Sequence, residues 1–256
     1  MLALQAQMGD GLLDVRIPDG RQRQDPVTQP AEAPTGVVLW RTRQLVAILL
    51  VAGVVLVGLT LVASQAGPNA IDLEATLWLQ RINLPGFAAL MYAVSWVGYA
   101  PQSWVMPLVV AGAFALRGLR MEALWILGTQ VSTLITLVLK QVVHRPRPSP
   151  DLVHVSTPLT DPSFPSGHVV QYCTLFGFAF FLVYVLARPS VQRTILLVLL
   201  ALPIVLVGPS RLYLGQHWLS DVLGGYAVAT LLLVPYCWAY TRWRSARPRS
   251  ERSFNH

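Results

Sequence analysis

The sequence predicts an all-α integral membrane bundle of about six transmembrane helices. Three observations carry that expectation. The 256 residues are 54% hydrophobic and only 12% charged, with a mean hydropathy of +0.52. A soluble domain usually carries about a quarter charged residues, so much of this surface must face something other than water. The apolar residues gather into runs near 20 residues, the length a helix needs to cross a bilayer, and basic residues flank those runs unevenly.

The elements follow in order. Residues 45–64 form an uncharged first span behind Arg41 and Arg43. Residues 65–100 are mixed: Asp72, Glu74 and Arg81 break the apolar pattern, and Pro68 and Pro85 punctuate it. Within them 87–99 is apolar but short. It is expected to lie along the interface, with Trp96 and Tyr99 at headgroup depth. A second span covers 103–116. A third covers 121–143, behind Arg117 and Arg120, and should stop near His144. The run HRPRP follows there, and proline disfavours helix both at itself and at the residue before. A polar loop occupies 148–165. The fourth span is 168–187, the fifth 194–208 with an extension toward 213, and the sixth 217–240.

The domain organisation read from this pattern has three parts. Residues 1–40, polar and Pro-rich, form a disordered cytoplasmic tail and do not have the layout of a secretory signal. Residues 41–241 form the six-helix membrane domain. Residues 242–256 form a basic cytoplasmic tail. There is no internal repeat. Cys173 and Cys237 lie in apolar stretches without disulfide or metal spacing and read as packing residues.

The net charge is +7 and the pI near 9.9. Such a balance points to nucleic acid or to anionic lipid; the hydropathy selects lipid, so no nucleic-acid partner is expected. With six spans, Arg41, Arg43, Arg117, Arg120, Arg188, Arg193 and the arginines from Arg242 onward share one side, which the positive-inside rule makes the cytoplasm. Both termini are then cytoplasmic. Lys140, Arg145, Arg147 and Arg211 oppose that bias on the outer side, where an anionic substrate would explain them. Lys140 is the sole lysine among 19 basic residues. It sits near the end of a span, where an ionisable group is a functional candidate.

Three segments on that side carry chemistry: KQVVHRPRP (140–148), PSGH (165–168) and SRLYLGQHWLSD (210–221). His217 and Asp221 are four apart, a spacing that places them on one face of a helix. A carboxylate there fixes the imidazole tautomer and leaves the other nitrogen as a nucleophile. Arg211 leads into that helix. Ser166 and Gly167 open another helix, whose free N–H groups and partial positive charge suit a phosphate. His168 stands where a general acid reaches a leaving oxygen. Lys140 and Arg147 supply a compact charge and a planar fork for phosphate oxygens. Other residues read less sharply. Arg145 is either a headgroup contact or an interface anchor. His154 and Asp161 either tune a headgroup or are solvated loop residues. Trp218 reads as a headgroup-belt marker, as do Trp78, Trp96 and Trp104.

Together the segments resemble the signature of the type 2 phosphatidic acid phosphatase (PAP2) superfamily: Lys-x6-Arg-Pro, Pro-Ser-Gly-His and Ser-Arg-x5-His-x3-Asp. Lys140, Arg147 and Pro148, then Pro165, Ser166, Gly167 and His168, then Ser210, Arg211, His217 and Asp221 match it without departure. The resemblance implies a lipid phosphatase. His217 would attack phosphorus, Asp221 would orient it, and His168 would protonate the leaving group and then activate water. Lys140, Arg147, Ser166, Gly167 and Arg211 would bind phosphate, with no metal and no cofactor. The expected partners are a lipid phosphate and the surrounding membrane lipid; the oligomeric state is open. The substrate class spans phosphatidic acid, phosphatidylglycerol phosphate and polyprenyl phosphates or diphosphates. Competing readings are a phosphotransferase using the same site, a soluble vanadate-dependent haloperoxidase, against which the apolar spans speak, and a non-catalytic lipid-binding scaffold.

Overall fold

The computed structural model describes residues 42–65 and 67–247. The expected tail 1–40 and residues 248–256 lie outside the described residues. Within the described residues all regular structure is helical: α1 (Thr42–Ala63), α2 (Ala70–Gln80), α3 (Phe87–Trp96), α4 (Gln102–Leu116), α5 (Arg120–Gly128), α6 (Val131–Val143), α7 (Gly167–Leu186), α8 (Val191–Tyr213) and α9 (Leu219–Ala246).

Local chemistry sets these boundaries. Asn69 caps α2 by accepting the Asp72 N–H at 2.8 Å, and Ser190 caps α8 by accepting the Arg193 N–H at 3.1 Å. Side-chain oxygens here satisfy donors that the helix itself leaves free. α6 stops at His144, which turns into the left-handed region (φ 50°) just before the prolines. The third expected span is one crossing built of two helices, α5 and α6, with a break at Thr129, whose hydroxyl turns back onto the Ile126 carbonyl at 2.6 Å. α9 starts at Leu219 rather than 217 and continues to Ala246, through residues the sequence assigns to a tail. Partners at its far end hold that extension: Arg244 and the Tyr240 hydroxyl both donate to Glu122 Oε1 at 2.9 Å.

Among the described residues, five stretches are long and apolar enough to cross a bilayer: Arg43–Ala63, Arg120–Val143, α7, α8 and α9. α4, with 15 residues, measures about 22 Å at 1.5 Å per residue. Its neighbours show where it runs. Ser103 at its start accepts from Gln171 near the start of α7 at 2.7 Å, while Glu122 just beyond its end meets Arg244 at the far end of α9. α4 therefore connects the two ends of the bundle.

α7 is the central helix, with 12 buried residues on all sides. α1 is peripheral: Leu50, Val51, Val54, Val57 and Leu61 are each more than 60% exposed, as suits a helix that faces lipid. Trp125, Phe178, Tyr236, Tyr240 and Trp243 pack edge-on or tilted at the end near Arg244. At the other end α6 and α8 finish and α7 and α9 begin. α2 and α3 gather there too. Gln80 of α2 donates to the carbonyls of His154 (2.7 Å) and Tyr213 (3.0 Å), and Phe87 of α3 meets Tyr213 edge to face at 5.1 Å.

Two glycines let the elements of this end close on one another. Gly224 packs under the Phe164 ring, and a Cβ on Gly225 would lie 2.9 Å from Val169 Cβ and 3.0 Å from the Ser166 carbonyl. Backbone cannot yield as a flexible side-chain tip can. Gly225→Ala is therefore expected to destabilise the protein by about 1–3 kcal/mol, the usual cost of overpacking. Thermal unfolding in detergent checks this; an unchanged midpoint would show that α7 and α9 can slide apart freely.

Candidate active site

All eight sequence-predicted site residues lie at this one end. Lys140 occupies the last turn of α6 and is 6% exposed; its Nζ donates to Asp161 Oδ2 at 2.5 Å and to the Pro162 carbonyl at 2.7 Å. Arg147 follows in the loop. Its Nε donates to the Asp161 carbonyl (2.8 Å), its Nη1 to the Gln216 carbonyl (2.6 Å), and its Nη2 to both carboxylate oxygens of Asp161 (2.9 Å each). Arg147 Nη1 also lies 3.3 Å from His217 Nε2. Arg211 ends α8 fully buried. It donates to the Ser95 hydroxyl, to the Tyr99 hydroxyl at 3.0 Å and to Gln216 Oε1 at 3.0 Å, and it rests over the Tyr99 ring.

Ser166 and Gly167 form the start of α7, as expected. The Ser166 N–H donates to the Asp221 carbonyl at 3.1 Å, which ties α7 to α9. A Cβ on Gly167 would meet only Thr136 at 3.7 Å, so packing inside the protein does not require glycine there. The His168 ring stands edge-on to Tyr99 at 4.8 Å, within electrostatic range of Arg211, His217 and Arg147. Three buried side-chain atoms of this cluster have no hydrogen-bond partner among the described residues: Ser166 Oγ, His168 Nε2 and Arg211 Nε.

His217 and Asp221 meet, but not as a pair on a helix face. His217 precedes α9, and Trp218 is the extended N-cap residue (ψ 160°). Asp221, in the first turn, reaches back to accept the Trp218 N–H at 2.8 Å, and this capping bond holds the segment out of the helix. Its Oδ2 lies 3.5 Å from His217 Nδ1, and Ser163 bridges them, donating to Asp221 Oδ2 with its hydroxyl 3.4 Å from Nδ1. Nδ1 thus faces a carboxylate and Nε2 faces the cations. Burial, first, and then the charges of Arg147, Arg211 and Lys140 push His217 well below the ordinary imidazole value of 6.5. The ring is therefore a neutral base.

Arg145 is neither a headgroup contact nor an interface anchor. It is 1% exposed and bridges Asp72 Oδ2 (2.7 Å) and Asp221 Oδ1 (2.6 Å), donating also to Ser220 Oγ at 2.6 Å. Asp72, which the sequence offers only as an interruption, accepts from the Ser220 N–H and hydroxyl at 2.8 Å and so pins α2 to the start of α9. Asp161, half exposed in its loop, is also the partner of two site cations. Trp218 is 1% exposed and does not mark a headgroup belt, whereas Trp78, Trp96 and Trp104 are all exposed. His154 holds its loop through its main chain, exchanging two bonds with Gln80. Ser95 and Tyr99, from the short α3 region, also belong to the cluster; no motif in the sequence flags them.

The helical bundle, with stretches long and apolar enough to cross a membrane, defines a multi-pass membrane protein, and its histidine pair and buried cations gather at one end. The PAP2 superfamily matches residues 121–246. Phosphatidylglycerophosphatase B of Bacillus subtilis (strain 168) is 34% identical over 175 residues, 66% of this chain and 81% of that protein. The crystal structure of a transmembrane PAP2-type phosphatidylglycerolphosphate phosphatase from Bacillus subtilis is 26% identical with a TM-score of 0.61, covering 77% of this chain and 96% of that one. The structure of Aquifex aeolicus LpxE is similar in fold, at 20% identity and a TM-score of 0.50 over 67% of this chain and 97% of that one. The chain belongs to the PAP2 superfamily.

Proposed function

We propose that this membrane PAP2 lipid phosphatase removes phosphate from a lipid phosphomonoester or diphosphate through a phosphohistidine on His217. The observation that carries the reading is that Ser166 Oγ, His168 Nε2 and Arg211 Nε, at the same end as a cation-lined imidazole, are buried without a partner among the described residues. An anion with several oxygens supplies partners of the kind these atoms lack, and leaving them unsatisfied is costly.

In this reading His217 Nε2 attacks phosphorus while Asp221 and Ser163 hold the Nδ1 side. His168 gives its proton to the departing oxygen, so the lipid leaves as an alcohol, or as a phosphate from a diphosphate. His168 then takes a proton from water, which attacks the phosphohistidine, frees orthophosphate and restores His217. Lys140, Arg147, Arg211, Ser166 and the Gly167 N–H hold the phosphate oxygens and stabilise the charge spread over them in the transition state. These cations serve the role a divalent metal would otherwise serve, so hydrolysis is metal-independent. Phosphatidylglycerol phosphate is the first substrate to test, given the names of the relatives; phosphatidic acid and polyprenyl phosphates follow. The arginines at the opposite end support a site facing the periplasm or exterior, with both termini cytoplasmic.

A panel of lipid phosphates with purified protein and excess chelator, scored for orthophosphate, tests the reading. Release from at least one lipid supports it; a strict requirement for added Mg²⁺ overturns the metal-free mechanism. The pH profile adds a second check. Because the His217 pKa is lowered, the ring stays neutral and nucleophilic as pH falls through 6.5. The acid limb of kcat/KM, which reports the free enzyme, should lie below that value. A limb at 6.5 or higher would contradict the buried, cation-flanked nucleophile.

A further inference from the structure

We propose that Asp161 is an internal counter-anion: its carboxylate fills the Lys140–Arg147 seat of the empty site, and its exchange for phosphate makes Asp161 a specificity-determining residue. The inference rests on the reading that this seat takes phosphate.

Four observations carry it. The carboxylate engages the cations as a phosphate would, both oxygens 2.9 Å from Arg147 Nη2 and one of them 2.5 Å from Lys140 Nζ. The same guanidinium lies 3.3 Å from His217 Nε2, the atom assigned to attack phosphorus. Asp161 is ionised at working pH: burial acts to raise its pKa, but the Lys140 hydrogen bond and the charges of Lys140 and Arg147 outweigh it and hold the carboxyl at about 2. The Asp161 side chain is also the movable member, 53% exposed against 7% for Lys140 and 11% for Arg147.

Main-chain contacts allow the exchange. Lys140 stays bonded to the Pro162 carbonyl and Arg147 to the carbonyls of Asp161 and Gln216, whether or not the carboxylate is in place. The cations therefore keep their positions when the side chain swings out. An incoming anion must expel a carboxylate of one negative charge, so its apparent affinity falls by the fraction of time the seat is vacant. A phosphomonoester with two charges prevails in that exchange, whereas a phosphodiester with one competes evenly. The device thus favours terminal lipid phosphates over the bulk phosphodiester lipids that surround the protein, and it helps orthophosphate leave.

The test is calorimetric titration of the full chain in detergent with inorganic orthophosphate, for the wild type, Asp161→Asn and Asp161→Glu. Asp161→Asn should bind orthophosphate about tenfold more tightly, and Asp161→Glu should remain close to wild type. Asp161→Ser, which removes the charge with a different shape, must agree with Asp161→Asn and covers the case in which that variant does not fold. Wild-type binding with equal or weaker binding in the neutral variants would reduce Asp161 to a strut for the cations and overturn this inference alone. A wild type that binds no orthophosphate at millimolar concentration would sink the inference together with the reading of the site.

Discussion

His217→Ala is expected to lower kcat/KM for the best lipid phosphate by at least about ten-thousandfold, the scale seen when a covalent nucleophile is removed. The ring is buried and its nitrogens face opposite partners: Nδ1 toward Asp221 and Ser163, Nε2 toward Arg147. Alanine deletes the attacking atom and leaves the cations in place, so substrate binding should persist while turnover stops. Two measurements separate chemistry from collapse. Orthophosphate binding should survive in the variant. Radiolabelled wild type quenched in alkali should retain acid-labile phosphate on the protein, and the variant none. Retention of more than about a hundredth of wild-type activity would assign the nucleophile elsewhere.

Arg145→Met should cause the largest loss of stability. Its guanidinium lies between Asp72 and Asp221, the three side chains at most 2% exposed. Removing it strands two carboxylates in a desolvated junction, which typically costs about 3–5 kcal/mol. For a chain of this size that corresponds to a melting midpoint lower by about 10 °C. Asp72→Asn on the Arg145→Met background should recover part of the loss, because one of the stranded charges is gone. If the two substitutions simply add, the carboxylates are not coupled through Arg145 and the network described above is incidental.

The crossings were readable wherever apolar runs are long and uninterrupted, as in α1, α7 and α8. Less was readable at the ends. His217 sits before α9 rather than on it because the Asp221 carboxylate is committed to the Trp218 N–H, a choice that spacing alone does not reveal. The eight motif residues do share one end, since lone imidazoles and cations in apolar flanks stand out against hydrocarbon. Their supports were hidden. Arg145 and Asp72 are 73 residues apart, and nothing local to either marks the other as its partner. Ser95 and Tyr99 look like ordinary residues of a short apolar segment, and only the return of α8 shows that they hold Arg211. Asp161 carried a charge that could equally be solvated, and its role follows from how the loop folds over Lys140.

The shortness of α4 has a consequence for the surrounding lipid. A hydrocarbon slab is about 30 Å thick, so a helix of about 22 Å leaves a mismatch of several ångströms along one flank. Trp104, Val105, Leu108 and Val109 all point outward there, so acyl chains must compress or tilt to meet them, at a cost of fractions of a kcal/mol per ångström. The leaflets are drawn together beside that wall, and the Tyr99 turn at its upper edge then stands close to the level where headgroups dip. Thin membranes accommodate such a flank with less distortion than thick, sterol-stiffened ones.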